Sequence, residues 1–198
     1  METKKMYQTS YNFIEKQGIL SSKQEQLYDK FFLLENLTEL NLRIPKYCID
    51  ILPAPMRNPI FFEEFDYDRN SGNSLWRSNY HDYFIKFRKF LYTIIGYSQI
   101  TFVETTFFEE AGTPAIIQIN TKGDKAILEE IIVNSLNEYD NTLISFPEEQ
   151  TVLIFSGLFI QVITTNGEML DRMKLIATTN GLYCHLMIDN SSNPEALV

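Results

Sequence analysis

Trp76, Tyr80, Tyr83, Phe84, Phe87, Leu91 and Ile94 recur every three or four residues. That period predicts a long helix with one broad, mostly aromatic face. His81, Asp82, Lys86 and Lys89 fall on the opposite face, and Gly96 stands where the helix should stop. A stripe this wide must be buried, and the residues beyond Gly96 say against what. There the apolar pattern shortens to that of strands, over 100–108 and 115–120. Three short strands are expected at 142–146, 151–155 and 158–164. They are separated by Pro147-Glu148-Glu149-Gln150 and Ser156-Gly157, the composition of an antiparallel meander. Helices are expected over 124–139 and 168–178. Asn180-Gly181 breaks the second, and a last strand follows over 183–188. The expected fold class is α+β: a helical N-terminal part packed on a mostly antiparallel sheet, with two helices in the C-terminal half.

The first half reads as helical. Met6, Tyr7, Tyr11 and Ile14 precede Gly18 at helical spacing. Ser22 with Glu25 three residues on is a capping-box pattern, and Leu27, Phe31, Leu34 and Leu37 form the stripe of the helix it opens. Pro45, Pro53, Pro55 and Pro59 make 43–60 an irregular connection with room for one short strand at 47–52. The 198 residues form a single domain, with candidate sub-boundaries at 43–60 and at 96. A chain of this size buries roughly 70% of its unfolded surface and needs no covalent staples. Its two cysteines, Cys48 and Cys184, are accordingly expected as free thiols in a reducing, cytoplasmic setting. Residues 1–10 carry no apolar signal core. The longest apolar run, 151–165, is broken by Ser156, Gly157 and Gln161 and falls short of the roughly 20 residues a membrane span requires.

The net charge of −9 is unevenly placed. Residues 98–198 hold fourteen acidic residues against four basic ones, whereas the remainder is nearly balanced. Such a surface repels nucleic-acid phosphates and attracts basic partners. Lys86, Arg88 and Lys89, interleaved with Phe84, Phe87 and Phe90, read as the wet edge of a core helix, not as a nucleic-acid contact.

Motifs for catalysis and cofactors fail on inspection. Asp66, Asp68 and Asn70 begin like a calcium loop, but its sixth position is Ser71 and its twelfth is Arg77. Cys184 and His185 are adjacent, which on a strand sends their side chains to opposite faces. No glycine pattern for a nucleotide is present, and no metal or other cofactor is expected. Paired carboxylates abound, at 63–64, 109–110, 129–130 and 148–149, yet neighbours in a loop stay wet and similar in pKa.

The strand pair Val152-Leu153-Ile154-Phe155 and Phe159-Ile160-Gln161-Val162, the helix over 168–177 and the strand Leu182-Tyr183-Cys184-His185 resemble small cytosolic bacterial immunity proteins, which neutralise toxins. The resemblance covers about a fifth of the chain. It implies a non-catalytic inhibitor of a basic protein partner. Two other readings stay open: an enzyme whose carboxylates assemble in space, and a scaffolding module with an exposed aromatic patch. For the binding reading, the expected contact residues are Phe107, Phe108, Glu109 and Glu110 in one loop and Phe146, Glu148 and Glu149 in another. Paired acids would steer the partner, and the neighbouring aromatics would anchor it.

Overall fold

Three consecutive strands, β6 (Thr142–Phe146), β7 (Thr151–Phe155) and β8 (Ile160–Thr164), consist mainly of β-branched, leucine and aromatic residues. All of their side chains are buried. Strands so apolar on both sides must be covered on both faces, and this requirement organises the molecule. The structure is a computed structural model that describes residues 6–8, 13–15, 22–32, 44–53, 72, 74–98, 101–110, 113–119, 125–137, 142–155 and 157–187.

One face is covered by three helices, α2 (Ser74–Tyr97), α3 (Lys125–Leu136) and α4 (Gly167–Thr179). Phe87, Phe90, Leu91 and Ile94 of α2 meet Ile131, Ile132 and Leu136 of α3, Met169 and Met173 of α4, and Ile144, Phe146, Leu153, Phe155, Ile160 and Val162 of the sheet. Polar clamps fix the helices at the margins of this core. The Tyr80 hydroxyl donates to the Leu136 carbonyl. Glu129 accepts from the Tyr92 hydroxyl and pairs with Arg88 at 2.7 Å. Burial, reinforced by Glu129, pushes the Tyr92 phenol up to about 12.

The opposite face is covered by α1 (Ser22–Phe32), whose Leu27 and Phe31 sit on Leu143, Val152, Ile154 and Ile163. The meander therefore lies between two helical layers.

Among the described residues the sheet has seven strands, all paired antiparallel. In spatial order they are β5 (Thr113–Ile119), β4 (Thr101–Glu110), β6, β7, β8, β3 (Lys46–Asp50) and β9 (Tyr183–Leu186). β3 comes from the proline-rich stretch and lies between β8 and β9, with Cys48 opposite both Gln161 and His185. Residues 98–189 thus do not complete the sheet without the first half.

A local difference from the sequence reading lies at the N-terminus. Met6–Gln8 (β1) and Phe13–Glu15 (β2) form an antiparallel pair, with Tyr7 opposite Ile14, where helical spacing had been read. A short apolar run fits both periods, and Tyr, Phe and Ile favour the strand. Leu34 and Leu37, expected to extend the α1 stripe, lie outside the described residues.

α4 is closed at both ends. Asn166 accepts from the Met169 amide at 3.0 Å. At the other end Leu182 N–H bonds to Ala177 O at 2.9 Å and Gly181 N–H to Thr178 O at 3.0 Å. This six-to-one and five-to-two pattern requires a left-handed residue, supplied by Gly181 at φ +70°.

Candidate functional site

The register of the sheet decides how the expected contact residues are distributed. Phe102 of β4 faces Ser145 of β6, and Thr105 faces Thr142. β4 therefore runs past the start of β6 toward Glu110, while Pro147–Gln150 follows the end of β6. The two acidic pairs lie at opposite ends of the sheet. At least the length of β6, roughly 16 Å, separates them, so they do not form one face.

At the first end, Glu109 and Glu110 are the last residues of β4, not a loop beyond it, because Glu110 pairs with Thr113. Between Thr105 and Glu110 the pairing slips. Residues 106–109, which include Phe107 and Phe108, stand against Pro114 alone. Proline has no amide proton to continue the ladder, which accounts for a break at this point. The side chains of Phe107, Phe108, Glu109 and Glu110 lie outside the described residues.

At the second end Phe146 is fully buried in the main core, so it is not a surface anchor. It takes an inward position because it alternates with Ser145, which points the other way. The exposed aromatic at this end is Tyr97, which the sequence reading did not single out; it ends α2 and is 59% exposed. Its neighbour Ser98 donates to Glu149 at 3.4 Å, which ties the end of α2 to the Glu148–Glu149 turn. Arg172 of α4 lies over the Tyr97 ring at 5.2 Å and pairs with Glu168 at 3.3 Å. A helix C-terminus carrying an aromatic residue beyond the core stripe was the available signal. Nothing local linked it to a turn fifty residues later.

The turn itself is tightly held. Gln150 adopts φ 49°, unusual for a residue with a Cβ. Four-residue hairpin loops are commonly built on a type I turn. Here Gln150 N–H closes on Pro147 O at 3.3 Å, and the Gln150 side-chain amide donates to the same carbonyl at 3.1 Å. The turn is also a cation receptor for its own chain. Lys23 of α1 pairs with Glu148. Lys30, two turns on, donates to Gln150 Oε1 at 3.0 Å and to the Thr165 hydroxyl at 2.7 Å. Glu148 nonetheless keeps 54% of its side chain exposed.

A second cluster, not anticipated from sequence, sits where β3 meets β9. Cys48 and Asp50, two apart on β3, share a face with His185 of β9. Asp50 Oδ1 accepts from Leu52 N–H at 2.8 Å and lies 3.6 Å from His185 Nε2. The same nitrogen is 2.6 Å from the Leu52 carbonyl, which can only accept, so Nε2 carries the proton. Cys48 Sγ contacts Asp50 Oδ2 at 3.9 Å. Cys184 faces the other way, against the main core, as the alternation of strand side chains requires.

The electrostatics of this cluster are those of a buried brace. Burial, then Asp50, pushes the Cys48 thiol up to about 12, and burial pushes Cys184 up to about 11. Both are free and held as neutral thiols, the unreactive form. Burial also raises the Asp50 carboxyl above its ordinary 3.8, opposed by the Leu52 amide and by His185. A raised folded-state pKa favours the fold at low pH, and that contribution is lost as pH climbs through the folded value. Asp50→Asn keeps an acceptor for Leu52 and removes the charge. Its stability relative to wild type should therefore rise as pH increases from 4 to 7. Urea denaturation across that range measures it, and a flat or falling difference would show that burial does not control Asp50.

Among the described residues, no group of His, Cys, Asp or Glu is placed to hold a metal ion, and no helix is long and apolar enough to cross a membrane. The calcium-like residues 66–70 lie outside the described residues. No family model, curated protein or solved structure matches the chain.

Proposed function

We propose that this chain is a non-catalytic binding protein that neutralises a basic protein partner, in the manner of the immunity proteins its second half resembles. The observation that carries this reading is the Glu148–Glu149 turn, a carboxylate pair tied through Ser98 to the helix end that carries the exposed Tyr97. The turn already accepts two lysine ammonium groups from α1. A partner presenting lysine or arginine would compete with Lys23 for Glu148, whose side chain stays 54% exposed. Rigid acids and an amphipathic aromatic with few rotatable bonds bind at low entropic cost.

The opposed ends of the sheet make the test selective. A basic partner is captured from lysate of the source, repurified, and its association rate measured against two charge-reversed proteins, E148K/E149K and E109K/E110K. The first should associate about tenfold more slowly at low ionic strength and much less so at high salt. The second should match wild type. The fold should survive, because an exposed pair such as Lys23–Glu148 contributes about 0–1 kcal/mol. A loss confined to E109K/E110K would move the contact to the β4–β5 hairpin. Unchanged rates in both would make the charge a solubility device and end the binding reading.

A further inference from the structure

Away from both acidic ends, α2 and the C-terminal turn of α4 border an open cleft of about 470 Å³, lined by Asp82, Tyr83, Ile85, Lys86, Lys89, Thr179 and Asn180. Its volume lies within the range of small-molecule sites. Its charge runs against that of the protein, which carries −9 overall. Lys86 and Lys89 are one turn apart on α2, a like-charge spacing that disfavours the helix slightly unless something anionic lies between them. Neither ammonium has an ion-pair partner among the described residues.

Lys86 is half-buried and held in place. Its Nζ lies 5.3 Å from the centre of the Tyr83 ring. A methyl group on Gly181 would come within 3.4 Å of that nitrogen. Three carbonyl groups of the α4 terminus have other donors. Ile176 O takes the Asn180 amide, the Asn180 side chain and the Thr179 hydroxyl, while Ala177 O and Thr178 O take backbone N–H groups. The Lys86 ammonium thus sits against the C-terminal turn of α4, at the border of the cleft.

The geometry points to a binding site for a small hydroxylated anion, of the class of monosaccharide phosphates and sugar acids. Lys86 and Lys89 take the anionic oxygens. Asp82, one turn before Lys86 and seven residues from Lys89, offers an acceptor to ligand hydroxyls at that end of the cleft. Thr179 and Asn180 supply further polar groups on the α4 side, and the Tyr83 ring and Ile85 offer an apolar wall for the less polar face of a sugar ring. This site is separate from the proposed partner contact and does not depend on it.

The test is calorimetric titration of the full chain with glucose 6-phosphate, glucuronate and glucose, at an ionic strength fixed with sodium chloride. Saturable one-to-one binding of either anion, with Kd of about 1 mM or tighter, supports the site and identifies the anionic group it prefers. Lys86→Gln with Lys89→Gln should weaken that binding at least tenfold. Because Lys86 also packs over Tyr83, Lys89→Gln alone and amide chemical shifts of Thr179 and Gly181 in the unmutated protein serve as checks independent of folding. Heats equal to those of matched salt for both anions, equal binding of glucose, or undiminished affinity in the variants would each overturn the proposal.

Discussion

Replacing Phe87 by Ala should destabilise the protein by roughly 3–5 kcal/mol, the usual cost of emptying a fully buried aromatic site. Phe87 has no exposed surface and lies among the apolar residues of α2, α3, α4 and the sheet. Few neighbouring side chains are free to collapse into the gap, because most of them are themselves fully buried. Chemical denaturation with the slope held common to wild type measures the loss. A change under about 1 kcal/mol would mean that the stripe of α2 faces solvent, contrary to the packing described above.

The second large effect is expected at Ile49. It is fully buried, it belongs to the same core, and it sits on β3 between β8 and β9. Ile49→Ala should cost roughly 2–5 kcal/mol. The loss should appear in one transition, by circular dichroism and by fluorescence alike, because β3 ties the first half of the chain into the sheet of the second. Two separated transitions, with only one displaced by the substitution, would show instead that the halves fold independently at the proline-rich stretch.

Most of the secondary structure was legible because its signals are local. The helical stripe from Tyr80 to Ile94, the turn residues Pro147–Gln150 and the Asn180-Gly181 break lie within a few residues of what they specify. The α+β class followed from the order of those signals. Sheet order did not. Cys48 and His185 are separated by most of the chain, and nothing near either residue encodes their pairing. The same limit explains the candidate site. Composition correctly marked Glu148 and Glu149 as a turn, and it could not show that Phe146 points inward while the exposed Tyr97 ends the helix tied to that turn. Nor could it show that Glu109 and Glu110 stand at the far end of the sheet, since that depends on the β4–β6 register. The Lys86–Lys89 cleft was visible only as a basic helix edge, because its other wall comes from α4.

The place of β3 also sets a timetable. Both of its neighbours, β8 and β9, come more than a hundred residues later in the chain. During synthesis from the N-terminus, β3 emerges long before the meander, gains β8 when the meander forms, and gains β9 only after α4 has followed. Closing so long a loop costs entropy before any contact returns it, and folds dominated by distant pairings form slowly. Among the described residues β9 is the last strand and lies at the edge of the sheet, and Leu186 and Met187 at its end remain exposed after folding. Until β9 docks, β3 offers an open strand edge to any other extended chain, which makes this interval the one in which the protein is most prone to mispairing.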